Sequence, residues 1–89
     1  FGDPDWDSTR TEGQLANYQS WLHLSRKRRV VAVELGAGLA IPTVRNECER
    51  TAKTLIRINP REPETPPGGI PLPLGALDAL TRIDALLAR

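Results

Sequence analysis

The middle of the chain, from Val30 to Asn59, carries two short apolar runs on either side of a helical pattern. Val30–Leu35 is rich in β-branched residues and suits a strand that is buried on both faces of a parallel sheet. Thr54–Ile58 is a second run of this type. The segment between them has a glycine turn, then Pro42, which suits the first turn of a helix, and apolar residues at helical spacing: Ile41, Val44 and Cys48. This order predicts a βαβ unit with parallel strands and a crossing helix.

Two further helices are predicted outside this unit. Ser8 or Thr9 is expected to cap the first helix, which covers residues 10 to 24. Its apolar side chains form a stripe that we expect in the core: Leu15, Tyr18, Leu22 and, at the edge, Trp21. The last helix covers residues 75 to 87, and its apolar side is formed by Leu77, Leu80, Ile83 and Leu87. Helical periodicity of this kind predicts amphipathic helices that pack on a sheet.

The predicted sheet is small. Pro60–Gly69 is rich in proline and glycine, which predicts a loop, and the prolines within Ile70–Leu74 allow at most an edge strand. Two parallel strands make a poor isolated sheet, and a parallel sheet needs cover on both faces. The sequence also contains no methionine. We therefore expect an α/β fold, a Rossmann-like parallel βαβ segment with flanking helices, that is part of a larger doubly wound domain or needs a partner chain.

Composition and charge narrow the functional classes. A chain of 89 residues allows one small domain at most. Twelve basic and 11 acidic residues give a net charge of +1, which predicts no strong non-specific attraction to nucleic acid or anionic membranes. No apolar run approaches the length of a membrane span. The single Cys48 excludes an internal disulfide and a zinc site made from several cysteines of this chain, and it fits a reducing, cytoplasmic setting.

The turn Gly36-Ala37-Gly38 is the main candidate for chemistry. It places backbone N–H groups at the positive N-terminal end of a helix, which favours a phosphate or another anion. Asn59 follows the second strand, where nucleotide-binding folds often place a residue that hydrogen-bonds a ribose hydroxyl. The alternative is a structural tight turn, because the dinucleotide fingerprint has glycine or alanine where Ile41 stands and an acid where Asn59 stands.

Several other polar residues have two interpretations. Glu34 is either a ligand contact or the partner of a basic residue such as Arg45 or Arg57, since a buried carboxylate needs one. His23 is a conceivable general base, although we favour an exposed residue at a helix end. The basic run Ser25–Arg29 either binds phosphate or carries a targeting signal, or it is a solvated loop, which is the commoner case. The charged residues of the central helix are expected on its wetter sides, with Cys48 as an inert core thiol: Arg45, Glu47, Glu49 and Arg50.

Three blocks of the sequence, in this order, resemble blocks of the sirtuins, which are NAD-dependent protein deacylases. They are FGD at Phe1–Asp3, VELGAGLAIPTVR at Val33–Arg45 and LIRINPREPE at Leu55–Glu64. The similarity is closest to a bacterial branch of the family. It implies that residues 1–89 form the C-terminal portion of a single NAD-binding domain whose N-terminal portion is absent here.

The resemblance also implies roles for matched positions. Phe1, Gly2 and Asp3 match a loop that pairs with the acyl-lysine peptide through its backbone. Positions Gly36, Ala37 and Gly38 match a Gly-Thr-Ser segment that contacts the NAD ribose and phosphates, and here backbone N–H groups would replace the two missing hydroxyls. The remaining cofactor contacts implied are the adenosine ribose at Asn59 and the adenine at Ala76 and Leu77.

The resemblance therefore implies part of an NAD-dependent protein-lysine deacylase. The family's first glycine-rich loop, catalytic histidine and zinc cysteines are not among these residues, so the chain alone is expected to lack activity. The partners implied are an acyl-lysine protein or peptide and the upstream segment of the same domain. Two rival interpretations stay open: a non-catalytic module that binds NAD or ADP-ribose, and a structural or DNA-associated protein that uses Arg26–Arg29. Nucleic acid is the less expected partner, because the basic run has no aromatic stacking platform.

Overall fold

Three parallel strands and three helices form the part of the chain that the structure describes, residues 7–88 of a computed structural model. In chain order they are α1 (Thr9–Ser25), β1 (Val31–Leu35), α2 (Thr43–Thr51), β2 (Thr54–Ile58), β3 (Ile70–Leu72) and α3 (Ala76–Leu87). The expected α/β class is confirmed, and membership of a larger Rossmann domain stays a prediction. Within residues 7–88, no helix combines the length and the apolar character needed to cross a membrane.

The sheet has the order β1-β2-β3. Both strand pairs are parallel, with Glu34 opposite Arg57 and Ile58 opposite Leu72. The central strand β2 therefore has neighbours on both sides, and Ile58 is almost completely buried. The strand β3 lies at the edge, as its proline content predicts, because proline cannot donate a hydrogen bond to a neighbouring strand on its outer side.

Other parts of the chain cover one face of the sheet more completely than the other. Glu34 and Arg57 point to the face that α2 and the loop after β2 occupy, since Arg57 contacts Glu49 of α2 and the carbonyl of Glu64. On β1, the side chains that point to the opposite face stay about half exposed: Val31, Val33 and Leu35. This outer part of the second face is apolar and open to solvent among the described residues, which agrees with the expectation of a sheet that needs further cover.

The predicted core stripe of α1 is wrong. Leu15 and Trp21 are each 51% exposed, Tyr18 is also exposed, and only Leu22 is partly covered. Tyr18 and Trp21 stack on each other with ring centroids 6.3 Å apart. Periodicity identified the helix correctly, but residues 7–88 leave most of its apolar side chains exposed.

The apolar side of α3, which we expected to pack on the sheet, is also mostly exposed. Leu77 and Leu87 are 81% and 79% exposed, and Leu80 is exposed as well, whereas Ile83 is partly covered. The buried residue of this helix is Ala79. Burial of the leucines therefore contributes little to the stability of this helix in the described structure.

The N-terminal ends of α1 and α2 are set by residues next to them in the chain. Ser8 is the N-cap of α1, and the carboxylate of Asp7 accepts a hydrogen bond from the N–H of Thr9, which lowers the pKa of Asp7. In α2, Pro42 occupies the N-cap and not the first helical turn. Its backbone carbonyl accepts from the N–H of Asn46, so α2 begins at Thr43.

Candidate functional site

The turn after β1 is fixed against the end of β2. Gly36 has a φ angle of +63°, in the left-handed region that suits glycine. Its N–H donates to the carbonyl of Ile58 at 3.0 Å. This bond continues the β1–β2 ladder by one residue, and the positive φ then directs the chain away from the sheet.

The carbonyl of Ala37 is the meeting point of two side chains. The amide nitrogen of Asn59 donates to it at 3.1 Å, and a guanidinium nitrogen of Arg45 donates to it at the same distance. The amide oxygen of Asn59 accepts the N–H groups of Arg61 and Glu62, each at 3.0 Å. Asn59 thus lies at the predicted place, where it joins the turn after β1 to the loop after β2 and keeps one amide hydrogen free of these contacts.

A row of unpaired backbone N–H groups runs from this turn toward the start of α2. Within residues 7–88, none of the backbone N–H groups from Ala37 to Ile41 donates to a protein acceptor. A side-chain carbon added at Gly36 or at Gly38 would meet no atom within 4 Å, so the space beside the turn is open. An open row of N–H groups before the N-terminus of a helix can accommodate phosphate or hydroxyl oxygens.

Arg45 is buried, which contradicts one of our expectations. We predicted it on a wet side of α2, but it is only 5% exposed. Its guanidinium donates to the carbonyls of Ala37, Glu62 and Glu64 at 3.1, 2.9 and 3.4 Å. No carboxylate within the described residues pairs with it, so backbone carbonyls alone compensate its charge.

The residues of α2 that face inward are not all the ones predicted. Ile41 and Val44 are 62% and 56% exposed, whereas Arg45 and the partly covered Cys48 face inward. The signal in the sequence is the spacing of three residues between Arg45 and Cys48, which places them on one side of the helix. An inward arginine was not expected there, because two of its three carbonyl partners lie 17 and 19 residues away, in a loop that no helical pattern reveals.

Beneath the turn, Glu34 and Arg57 form a buried ion pair. Their side chains are 0% and 2% exposed, and the guanidinium donates to both carboxylate oxygens, once at 3.0 Å and once through a shorter bond. The hydrogen bond that Arg57 donates to the Glu34 carboxylate raises the pKa of Arg57. The pairing alternative for Glu34 is therefore confirmed, with Arg57 as the partner.

The remaining polar candidates play no part at this edge. Cys48 is half-buried, and burial raises the pKa of its thiol, so the thiol stays protonated at neutral pH. His23 is exposed near the end of α1, and the basic run follows that helix at the opposite edge of the sheet. Within residues 7–88, no cluster of metal-ligating side chains is present.

The residues predicted to bind the cofactor all follow the carboxyl ends of parallel strands. The turn Gly36–Gly38 follows β1, Asn59 follows β2, and Ala76 and Leu77 follow β3 after three residues. The carboxyl ends of parallel strands meet at one edge of a sheet, which we call the carboxyl edge. Direct contact is present between Ala37 and Asn59, and Leu77 is largely exposed to solvent. The predicted substrate residues Phe1, Gly2 and Asp3 lie outside the described residues.

Comparison of the chain with protein-family models, with curated proteins and with solved structures finds no match. The resemblance to sirtuins consequently stays a prediction that rests on three short sequence blocks.

Proposed function

We propose that the carboxyl edge supplies the distal half of an NAD site in a protein-lysine deacylase and one wall of its substrate cleft. The observation that carries this proposal is the convergence of Gly36–Gly38 and Asn59 at the ends of adjacent parallel strands. Open α/β sheets bind nucleotides in the crevice outside these ends. The three sequence blocks that resemble sirtuins support the choice of NAD.

The donors and the space at this edge fit such a ligand. The free N–H groups of residues 37 to 41 are suited to phosphate and ribose oxygens, and the open space beside Gly38 lets a ligand approach the backbone. Asn59 would use its remaining amide hydrogen for a ribose hydroxyl. Ala76 and Leu77, at the start of α3, would cover the adenine with apolar surface.

The chain would act by positioning, because the residues proposed to contact the ligand carry no side chain that can serve as a general base: Gly36, Ala37, Gly38, Asn59, Ala76 and Leu77. In a deacylase, NAD supplies an electrophilic ribose carbon and nicotinamide as the leaving group. Arg45 and Asn59 hold the turn that would place the ribose, and a misplaced ribose forfeits much of the rate. The catalytic histidine and the remaining wall would come from the upstream segment of the same domain.

The second candidate is a non-catalytic module that binds NAD or ADP-ribose. It is favoured by the absence of side-chain hydroxyls at Ala37 and Gly38, positions where the sirtuin pattern has threonine and serine. Both candidates use the same site, and they differ only in turnover.

A calorimetric titration of NAD and ADP-ribose tests the proposal. The ligands are added to this chain alone and to the chain with its upstream segment restored, and nicotinamide release is then measured with an acetyl-lysine peptide. Binding and release in the restored protein alone support the deacylase half-site. Binding without release in either form supports the module. Absence of binding in both forms contradicts the proposed function.

A further inference from the structure

A cleft lies at the opposite, amino-terminal edge of the sheet. It has a volume of about 300 Å³ and is enclosed by the C-terminal ends of α1 and α2 and by the residues that precede β1 and β2. Val30 joins the two strand starts, because its carbonyl accepts the N–H groups of Lys53 and Thr54 at 2.7 and 3.2 Å. This cleft is therefore separated from the carboxyl edge by the length of the strands.

The lining of the cleft is strongly basic. Arg26 and Arg28 come from the run after α1, and Arg50 and Lys53 come from the end of α2 and the residue before β2. No aspartate or glutamate lines it. The chain as a whole has a net charge of only +1, so four cations around one cleft represent a local concentration of charge.

Neighbouring negative charge does not balance these four cations. Arg50 is paired with Glu47 at 2.8 Å, and the other three make no ion pair within residues 7–88. The C-terminal ends of α1 and α2 add roughly half a negative charge each. Four positive charges against about two negative ones leave the cleft positive by about two charges.

Ser25 adds a polar group to this cleft. It is 8% exposed, it lines the cleft, and its side chain forms no hydrogen bond to any described residue. No side-chain oxygen or nitrogen among the described residues is both fully buried and unpaired. The Ser25 hydroxyl is therefore in contact with the solvent of the cleft, where it can donate to a ligand oxygen.

We propose that this cleft binds a small phosphate-bearing anion of the size of inorganic pyrophosphate. Guanidinium groups bind phosphate oxygens through paired hydrogen bonds, and two or three of them can address two phosphate groups at once. The volume lies at the lower end of the range for small-molecule sites, which suits such an anion. The site is distinct from the proposed NAD site and does not depend on it.

The basic run contains its own control. Lys27 and Arg29 belong to the same run as Arg26 and Arg28, but they do not line the cleft. The double variants Arg26→Gln/Arg28→Gln and Lys27→Gln/Arg29→Gln remove the same net charge from the same segment. All four side chains are exposed, so both variants should keep the fold, which circular dichroism can verify.

The test is a calorimetric titration of inorganic pyrophosphate into the wild-type chain and both double variants at constant ionic strength. We expect saturable binding at one site, a loss of affinity of at least about tenfold for Arg26→Gln/Arg28→Gln, and a change of less than about threefold for Lys27→Gln/Arg29→Gln. A further variant, Ser25→Ala, should lower the affinity by a few-fold because one hydrogen bond to a charged ligand is lost.

Three results would overturn this inference. Absence of saturable binding to the wild-type chain would exclude the site. Equal losses in both double variants would indicate a non-specific charged segment, and a parallel titration with a single-stranded oligonucleotide would then show binding with a steep salt dependence. Binding that neither double variant changes would place pyrophosphate elsewhere, including at the N–H groups of the carboxyl edge.

Discussion

The Glu34 carboxylate and the Arg57 guanidinium lie opposite each other on β1 and β2, and two hydrogen bonds join them under α2. Arg57 also donates to the carbonyl of Glu64 at 2.7 Å and lies 3.6 Å from a carboxylate oxygen of Glu49. The Arg57 side chain therefore connects β1, β2, α2 and the loop that precedes β3. This pair is the polar centre of the described structure.

Removal of one partner of this pair should be strongly destabilising. We expect Glu34→Gln to lower the free energy of unfolding by about 3 kcal/mol, because it leaves the buried charge of Arg57 with only the more distant Glu49. Replacement of both partners by apolar residues, Glu34→Leu/Arg57→Met, should recover part of the loss. Urea denaturation followed by circular dichroism measures these differences.

The exposed pair of Asp78 and Arg82 on α3 provides a matched control. Its two groups lie 3.0 Å apart with side chains that are 52% and 65% exposed. Asp78→Asn should change the unfolding free energy by at most about 0.5 kcal/mol, because solvent screens an exposed pair. Equal effects of Glu34→Gln and Asp78→Asn would contradict the role given to burial.

The glycine turn should be sensitive at one glycine and tolerant at the other. Gly36→Ala should cost about 1–2 kcal/mol, because a side chain disfavours the φ angle of +63°. Gly38→Ala should be close to neutral, since its φ is not positive and an added carbon meets nothing within 4 Å. Thermal denaturation of both variants measures the difference, and similar losses would refute the conformational explanation.

The positive φ angle of Gly36 also determines the expected effect of Gly36→Val. A β-branched side chain at this position would have two effects, because it would obstruct the approach of a ligand to the backbone and would disfavour the φ angle of +63°. The open space around Gly36 shows that the backbone conformation is the first obstacle. We therefore expect Gly36→Val to lose stability before any ligand is added.

Asn59 should carry a structural and a ligand-binding contribution. Asn59→Ala leaves the N–H groups of Arg61 and Glu62 without their acceptor, so we expect a loss of about 1–3 kcal/mol of stability. We also expect weaker NAD binding, because the side-chain amide proposed to contact a ribose hydroxyl is lost.

Asn59→Asp separates the two sides of this residue, because it keeps the acceptor oxygen for both N–H groups but removes the amide that donates to the Ala37 carbonyl. Dinucleotide-binding folds use an acid at this position for the ribose. We expect this variant to weaken the attachment of the turn after β1, while it keeps the two acceptor contacts that Asn59→Ala loses. Unchanged NAD affinity in Asn59→Ala would remove the residue from the site.

The attachment of α1 to α2 should weaken in acid. The Tyr18 hydroxyl donates to the Glu47 carboxylate at 2.8 Å, and the hydrogen bond from Arg50 holds the pKa of Glu47 below its ordinary value of about 4.5. A carboxylate with a lowered pKa stabilises the folded state above the unfolded pKa, and this contribution disappears as the pH falls through the lowered value. We therefore expect α1 to loosen below about pH 4.5.

Amide hydrogen exchange in α1 at a series of pH values, corrected for intrinsic rates, measures this loosening. Glu47→Gln should exchange faster than wild type at neutral pH and should lack the acid-dependent component. If protection of α1 in the wild-type chain is the same on both sides of this window, the contact between Tyr18 and Glu47 does not hold the helix.

The sequence pattern predicts the strands better than it predicts what covers them. The prediction of β2 at Thr54–Ile58 agrees with the structure residue for residue, and the prolines of the last strand correctly indicate an edge. The pairing of Glu34 was also foreseeable, because a charge within a buried strand needs a partner. These features depend on local patterns or on one general rule.

Features that depend on distant parts of the chain were not predictable in this way. The periodicity of α1 and α3 cannot say whether another layer lies against them, and most of their leucines are exposed within the described residues. Arg45 was misplaced for a related reason, because its partners are backbone carbonyls of the turn after β1 and of the loop after β2, which carry no sequence signal. The basic cleft likewise combines residues that are more than 20 positions apart.

The most direct test of the proposed NAD half-site maps ADP-ribose onto individual amide groups by nuclear magnetic resonance, with the upstream segment restored. The predicted result is a set of shifts in the backbone N–H signals of residues 37 to 41 and in the side-chain amide of Asn59. Shifts that avoid the carboxyl edge, or no shifts at saturating ADP-ribose, would contradict the claim that this edge binds NAD.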